Sequence, residues 1–476
     1  MKQFLLFFAM FLIHFSDVSG QATELYELKT DSITINTSKT YSIQSIQLIG
    51  NKKTKDFIIL REISVNIGDT INGNDLTKEL EQARKNILNT GLFHFATVNL
   101  VEEGNQISIY VMVNERWYFF PFPIFEVDDT NFNTWFESMD WNRLNYGIFL
   151  TQRNIRGRDE TLKLTFQLGF RERLKLSYNI PYINRKKTLG LGISTSFLRR
   201  HEIAYITNNN KRLQVRQEDE YLYKNQTIGF SLNYRKKIFN KHSLSISYNN
   251  VLVSDSVIDL NPEYLSKGKV RNEFITVTYN FTRDKRDSKN YPLKGHYLSA
   301  TVQKLGLELF DNSMNFVNTT FQAKKFSKLS DRFSLAGSAS TTFSFNKTTP
   351  YFLENGLGYG SGVRGYEYYV IDGQNIGIAK AQFRFSLLQP KVYRMGFLPS
   401  EKFSKMHFAI YSSIFADIGY VDDQIGYPLN NLANTWIYGT GVSLDFVTYY
   451  DLVLRTEFSF NKMGESGLFI HFVAPI

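Results

Sequence analysis

From about Tyr118 onward the chain alternates apolar and polar residues with a period of two, and it does so for most of its remaining length. Leu162, Leu164, Phe166 and Leu168 alternate with Lys163, Thr165 and Gln167. Leu174, Leu176, Tyr178 and Ile180 alternate with Lys175, Ser177 and Asn179. The pattern returns at Ile228-Phe230-Leu232-Tyr234, Leu244-Ile246-Tyr248, Ile275-Val277-Tyr279-Phe281, Leu452-Leu454-Thr456-Phe458-Phe460 and Leu468-Ile470-Phe472. A strand sends successive side chains to opposite faces, so each segment has one apolar and one polar face. Polar turns such as 184–187 and 208–210 separate the segments. Two architectures accept such strands. A soluble sandwich buries the apolar face against a second sheet. A transmembrane barrel turns it toward lipid and needs no second sheet.

Composition favours the barrel. Aromatic residues make up 15% of the chain, with Phe 41 and Tyr 28, at a mean hydropathy of -0.27. Membrane barrels carry aromatic girdles at both interfaces and a polar lumen. No uninterrupted apolar run reaches the ~20 residues a spanning helix needs. The stretch 118–476 has room for about 16 antiparallel strands of ~10 residues plus loops.

The N-terminus reads as an export signal, residues 1–20. Lys2 gives the positive start, 4–15 are apolar, and Val18 and Gly20 are small residues suited to cleavage. The apolar stretch is too short to serve as a membrane anchor across about 30 Å of hydrocarbon. Residues 21–40 read as a linker. The chain has Cys 0, which excludes disulfides, thiol nucleophiles and cysteine metal sites. The formal charge is +10, but the basic residues are spread over strands and turns, as in 185–187 and 235–237. That distribution argues against nucleic-acid binding and fits loops near anionic headgroups.

Between these regions, residues 41–117 follow a mixed grammar. Ile43, Ile46 and Leu48 mark a strand ending at Gly50-Asn51. Residues 55–63 suit a short helix, and Gly68-Asp69 a turn. Over 72–89, Leu76, Leu80, Ala83, Ile87 and Leu88 recur at helical spacing. Strands follow at 95–101 and 107–113, joined by a turn at 103–105. The expected order is β-α-α-β-β, a small α+β layer with one open sheet edge.

The residues 43–51, Gly68-Asp69, Leu76, Leu80, 89–93 and 107–115 together resemble a POTRA domain. That periplasmic module belongs to the BamA/TamA-like assembly and two-partner-secretion superfamily of outer-membrane barrels. A single copy is present here. The barrel carries a second likeness. Val363, Arg364, Gly365 and Tyr366 match the family's V-R-G-F/Y tip of the loop after the eleventh strand, which folds into the lumen. Phe415, Asp417 and Gly419 match its F-x-D-x-G segment on a late strand. The resemblance implies an ion pair between Arg364 and Asp417. Arg286-Asp287 with 291–295 resembles the family's R-D…P-x-x-G segment, in which Pro292 and Gly295 read as turn punctuation. Many such barrels finish on an aromatic residue, whereas here the nearest candidate for that role is Phe472.

Other readings of these motifs are weaker. Gly360, Gly362 and Gly365 also spell a dinucleotide fingerprint, which needs a following helix that 366–372 does not promise. A Gly-rich outer loop without a special role is the plainer alternative. The 7 histidines show no H-E-x-x-H spacing and no G-x-S-x-G elbow is present, so neither enzyme chemistry nor a metal or other cofactor is expected. Asp422-Asp423 reads as an exposed acidic turn.

The resemblance implies an outer-membrane protein that inserts or translocates polypeptides, with the module in the periplasm. Its partners would be lipid, unfolded outer-membrane or secreted polypeptides, and periplasmic or lipoprotein subunits. An incoming strand would pair with the module edge at Phe95, Ala96, Thr97, Val98, Asn99, Leu100 and Val101. The seam of the barrel or its lumen would be the route. Trp117 and Tyr118 read as an interfacial anchor, or as ordinary packing against the first strand. A scaffold barrel whose seam stays shut, and a lipid-handling or solute channel, are the alternatives. A short last strand near 464–476 would favour insertion, and full pairing the scaffold.

Overall fold

The computed structural model describes residues 36–127, 139–310, 314–345, 349–358, 362–394, 405–426, 430–448 and 452–473. The export signal, most of the linker and residues 474–476 lie outside the described residues.

The N-terminal module is built from β1 (Thr40–Ile49), α1 (Asp56–Leu60), β2 (Thr70–Asn72), α2 (Gly73–Asn89), β3 (Phe93–Glu103) and β4 (Gln106–Glu115). Its sheet order is β2-β1-β4-β3, with β1 and β4 parallel. The expected β-α-α-β-β order therefore gains one short strand, β2. Three residues after the Gly68-Asp69 turn pair with Thr40, Tyr41 and Ser42, too short a run to show a period. Asn72 caps α2 rather than joining it, its Oδ1 accepting from Asn74 N at 3.0 Å. The α2 stripe of Leu76, Leu80, Ala83 and Ile87 is buried against Tyr41, Ile43, Ile58, Ile59, Ile107 and Ile109. At about 1.5–3 kcal/mol per buried large apolar side chain, this one core is what holds the module together.

The barrel begins with β5 (Phe119–Val127), β6 (Leu144–Ile155), β7 (Glu160–Gly169), β8 (Arg171–Ile180) and β9 (Leu189–Arg200). A hairpin, β10 (Glu202–Asn208) and β11 (Lys211–Arg216), then leaves the wall. The wall resumes with β12 (Tyr223–Tyr234) and β13 (Asn240–Val253), then α3 (Asp255–Leu260), which also lies outside it. Next come β14 (Arg271–Asp284), β15 (Gly295–Leu305), β16 (Phe316–Lys328) and β17 (Phe333–Ser344). A second small hairpin, β18 (Asn355–Gly358) and β19 (Val370–Gly373), interrupts again. The wall ends with β20 (Asn375–Arg394), β21 (Lys405–Asp422), β22 (Trp436–Val447), β23 (Val453–Asn461) and β24 (Ser466–Val473). Among the described residues these form a 16-stranded antiparallel sheet running from β5 to β24.

The period-two stripe is where the two architectures part. Leu162, Phe166, Leu174, Leu176, Ile228, Phe230, Leu232, Leu244 and Ile246 are all exposed on the outside. Polar residues that alternate with the apolar ones, such as Gln167 on β7 and Asn145 and Thr151 on β6, are buried inside. Among the described residues no second sheet covers the apolar face. An apolar band of this extent needs a hydrocarbon solvent.

The module sits against one end of the barrel. Arg235, in the turn after β12, makes a two-pronged bond to Glu62 at 2.6 and 2.8 Å. Burial opposes the charge on Arg235, but the Glu62 carboxylate and Tyr182 hydroxyl outweigh it and raise its pKa. Arg61 donates to the carbonyls of Lys187 and Arg235 and lies over the Tyr182 ring at 4.6 Å. Asn89 and Lys289 tie the end of α2 to the turn between β14 and β15, with Lys289 Nζ donating to Asn89 O at 2.8 Å. Among the described residues the connections at this end carry no further helix or strand, while the opposite end carries both inserted hairpins and α3. Membrane barrels of the outer-membrane type show this asymmetry, with short periplasmic turns.

Candidate functional site

Arg364, in the segment between β18 and β19, is fixed to Asp417 on β21. Arg364 Nε and Nη2 donate to Asp417 Oδ2 and Oδ1 at 2.8 and 2.6 Å, and Arg364 N also donates to Oδ2 at 3.1 Å. A guanidinium fork fixes orientation as well as charge. The Asp417 side chain is fully buried and that of Arg364 is 11% exposed. The guanidinium also lies 3.6 Å from the centre of the Phe415 ring. Val363 and Tyr366 are buried, and Tyr366 Oη donates to Tyr438 O at 3.2 Å.

Two wall glycines make this approach possible. A Cβ at Gly419 would stand 2.6 Å from Val363 Cγ2, and one at Gly439 would stand 1.8 Å from Arg364 O. The glycine of the F-x-D-x-G segment is thus the floor beneath Val363, and its aspartate is the anchor for Arg364. No helix follows the Gly-rich loop. Residues 370–373 form β19, paired with β18, so the dinucleotide reading lacks the element it needs.

Around this anchor runs a charged network that the sequence does not single out. Arg364 Nη1 is 3.5 Å from Glu457 Oε1, and Lys380 Nζ is 3.8 Å from Asp417 Oδ2. Arg455 forks onto Asp445 at 2.7 and 3.1 Å, and Tyr291 Oη donates to Asp445 Oδ2 at 2.7 Å. Arg384 donates to Pro292 O at 2.9 Å and lies over Tyr291 at 4.8 Å. The 291–295 segment therefore does more than turn the chain, because it reaches into the network. On a period-two strand a polar lumen-facing residue is unremarkable, so these side chains give little signal of their own. The one available signal is Arg455-x-Glu457, a charged pair on one face near the end of the chain. Asp422-Asp423 is not an exposed turn: Asp423 is buried and accepts from Ile425 N and Gly426 N, both at 3.1 Å. It closes its own loop, a role a local backbone bond can fill without any pattern in the sequence.

The seam is the second feature. Among the described residues no register joins β5 to β24, the two ends of the sheet order. Hydrogen-bond parity shows what each edge offers. Arg153 N donates to Tyr118 O at 2.7 Å, in step with the pairing Phe119↔Gln152. Even-numbered residues of β5 therefore bond to β6, and odd-numbered ones turn their backbone groups to the seam. Those are Phe119, Pro121, Pro123, Phe125 and Val127. Proline has no N–H, so the middle of this edge has acceptors but no donors. On the other side, Asn461 N donates to Glu465 O at 3.0 Å, in step with Phe460↔Ser466. Ser466, Leu468, Ile470 and Phe472 therefore face the seam with both backbone groups intact.

The module edge named from the sequence, Phe95, Ala96, Thr97, Val98, Asn99, Leu100 and Val101, lies in β3, which pairs with β4 alone and ends the module sheet. Tyr118 is buried, its hydroxyl 3.0 Å from Thr54 Oγ1 and donating to Leu92 O at 3.2 Å. Trp117 beside it is 41% exposed. Tyr118 is held by the module core while its carbonyl bonds to β6, so it joins the two units directly.

Compared with known families, the pattern described as Omp85 superfamily domain matches residues 154–448. The pattern described as POTRA, surface antigen variable number repeat, matches residues 41–116. A comparison with curated protein sequences finds no match. Among solved structures, BamA from Haemophilus ducreyi lacking POTRA domains 1-3 is similar at a TM-score of 0.50 and 14% identity, over 91% of this chain and 84% of that one. CdiB from Escherichia coli is similar at 0.53 and 11% identity, over 91% of this chain and 75% of that one. At these identities the likeness concerns the fold.

Proposed function

The chain belongs to the Omp85 superfamily, and on that footing we propose that it inserts or translocates polypeptides at the bacterial outer membrane, through a seam between β5 and β24. The observation that carries this reading is the unequal pair of edges at that seam. A barrel in lipid ordinarily satisfies every backbone group by closing. Here Pro121 and Pro123 leave carbonyls on any facing strand without donors. A seam so built is held by few bonds and opens at low cost. The scaffold reading requires full pairing of the first and last strands, which the proline pair opposes.

In this mechanism the module lies in the periplasm. The open β3 edge takes up an extended client segment by main-chain bonding, which tolerates many sequences. The segment then passes to the seam above. Arg364 and Asp417 hold the lumen loop against β21 and β22, and so keep the late strands in shape while the seam works. None of these residues performs covalent chemistry.

The chain has Cys 0, so engineered cysteines report cleanly. Cysteine pairs scanned across the seam, beginning with Phe125→Cys and Leu468→Cys, should lock it when oxidised. Loss of client insertion on oxidation and recovery on reduction supports the reading. Full activity in a locked barrel refutes the seam as the route.

A further inference from the structure

We propose that Glu367, Glu457 and His471 form a site for a first-row transition-metal dication, such as Zn2+, that fastens the last barrel strand to the lumen loop. The three ligand atoms already lie within 4.8 Å of one another. They come from three separate elements. Glu367 follows Arg364 in the loop, Glu457 is on β23 and His471 is on β24.

Burial of the two carboxylates makes the trio unusual. Glu457 is 2% exposed, and its Oε1 accepts no hydrogen bond. His471 Nε2 is 3.3 Å from Glu457 Oε2, yet it too makes no bond of proper geometry. The cations nearest to Glu457 Oε1, Arg364 Nη1 and Arg455 Nε, stand off at 3.5 and 3.7 Å, so this buried carboxylate oxygen is incompletely satisfied, which is costly. All three side chains line one cavity of about 450 Å³, which has room for the ion and for water at an open coordination position. Glu367 Oε2 accepts from Gly365 N at 2.9 Å, an outer bond that orients a ligating carboxylate.

The donor set selects the class of ion. Two carboxylates and one imidazole suit zinc and its neighbours, whereas Ca2+ and Mg2+ prefer all-oxygen sites. Zinc holds nitrogen and oxygen at about 2.0–2.1 Å, so the Glu367 carboxylate needs to move inward by roughly 1 Å. The nearby arginines do not forbid this. Arg364 and Arg455 are forked onto Asp417 and Asp445 and reach Glu457 Oε1 only at 3.5 and 3.7 Å, so the Oε2 edge beside His471 is the one open to the ion. Spanning these elements, the ion would tie the seam strand β24 to the anchored loop.

The test uses the full-length protein, purified in detergent and stripped with a chelator, then titrated with Zn2+ and with Co2+ as an optical probe. The expected result is one ion per chain, a visible cobalt band displaced by zinc, and a rise in the temperature at which the barrel unfolds on a gel. Loss of an outer-shell partner alone weakens metal binding by about ten- to a hundred-fold. His471→Ala and Glu367→Gln, each removing a ligand, should weaken it at least as much and abolish the zinc-dependent rise. Gln keeps an acceptor for Gly365 N, so Glu367→Gln tests the site without unseating the loop. Absence of stoichiometric binding by the parent protein, or binding that both variants retain, overturns the proposal. This readout needs no client, so it fails or succeeds independently of the insertion reading.

Discussion

Replacing Arg364 by alanine removes the group that ties the lumen loop to the wall. Asp417 has no exposed side-chain surface, so the variant strands a carboxylate where water does not reach it. Breaking a buried pair from one side costs about 3–5 kcal/mol. Lys380 Nζ, 3.8 Å from the same carboxylate, can move to it, which places the cost near the lower end, about 3 kcal/mol. Loss of the guanidinium over the Phe415 ring, 3.6 Å away, adds about 1 kcal/mol. At 1.4 kcal/mol per decade, a sum of about 4 kcal/mol shifts the ratio of seated to released loop by nearly a thousand-fold. The assay is the temperature at which the folded barrel gives way to the slower unfolded band on a gel. Arg364→Ala should be exported yet unfold at a clearly lower temperature, with Arg364→Lys between it and the parent. A cycle with Asp417→Ala should show coupling, since the double variant strands no charge. An unchanged transition for Arg364→Ala, or strict additivity in the cycle, would refute the argument.

Other perturbations probe the remaining parts. Gly439→Val should expel the loop and expose 362–369 to protease, because its Cβ would stand 1.8 Å from Arg364 O, while Gly377→Val, with nothing within 4 Å, should not. Glu62→Gln should weaken docking of the module by about 3 kcal/mol, read as faster hydrogen exchange in α1, since it leaves the Arg235 fork without its carboxylate. Pro121→Val with Pro123→Val should restore the missing seam donors, raise the unfolding temperature and slow client insertion. Burial raises the Asp159 carboxyl from 3.8 to about 6. The folded protein therefore holds an extra proton between those values, and stability falls as pH rises through that window. Asp159→Asn should flatten that slope in urea titrations.

Much of the fold is legible in the residues themselves, and for local reasons. Alternation at Leu162–Leu168 or Leu174–Ile180 fixes which side of a strand is apolar whatever the strand pairs with. The helical stripe of Leu76, Leu80, Ala83 and Ile87 fixes α2 in the same way. The pairing of Arg364 with Asp417 is foreseeable too, but only by family likeness: 53 positions separate the two residues, and no periodicity reaches so far. Strand β2 is not legible because three residues carry no pattern. Asp423 reads as exposed in the sequence because its carboxylate accepts from the backbone N–H groups of Ile425 and Gly426, which leave no mark on residue type, and from Gln374, which lies 49 positions away.

What the sequence determined by itself is the alternation, and with it a chain whose strands need lipid on one side and a polar lumen on the other. Tertiary structure decided everything that depends on which distant segments meet. Only the observed register reveals that Pro121 and Pro123 turn their missing donors to the seam. Glu457 and His471 already neighbour each other across the β23–β24 hairpin, but only the seating of the loop that carries Glu367 brings all three into one cavity. The physical reason is that side-chain direction is set residue by residue, whereas pairing partners are set by loop lengths and strand stagger summed around the whole wall.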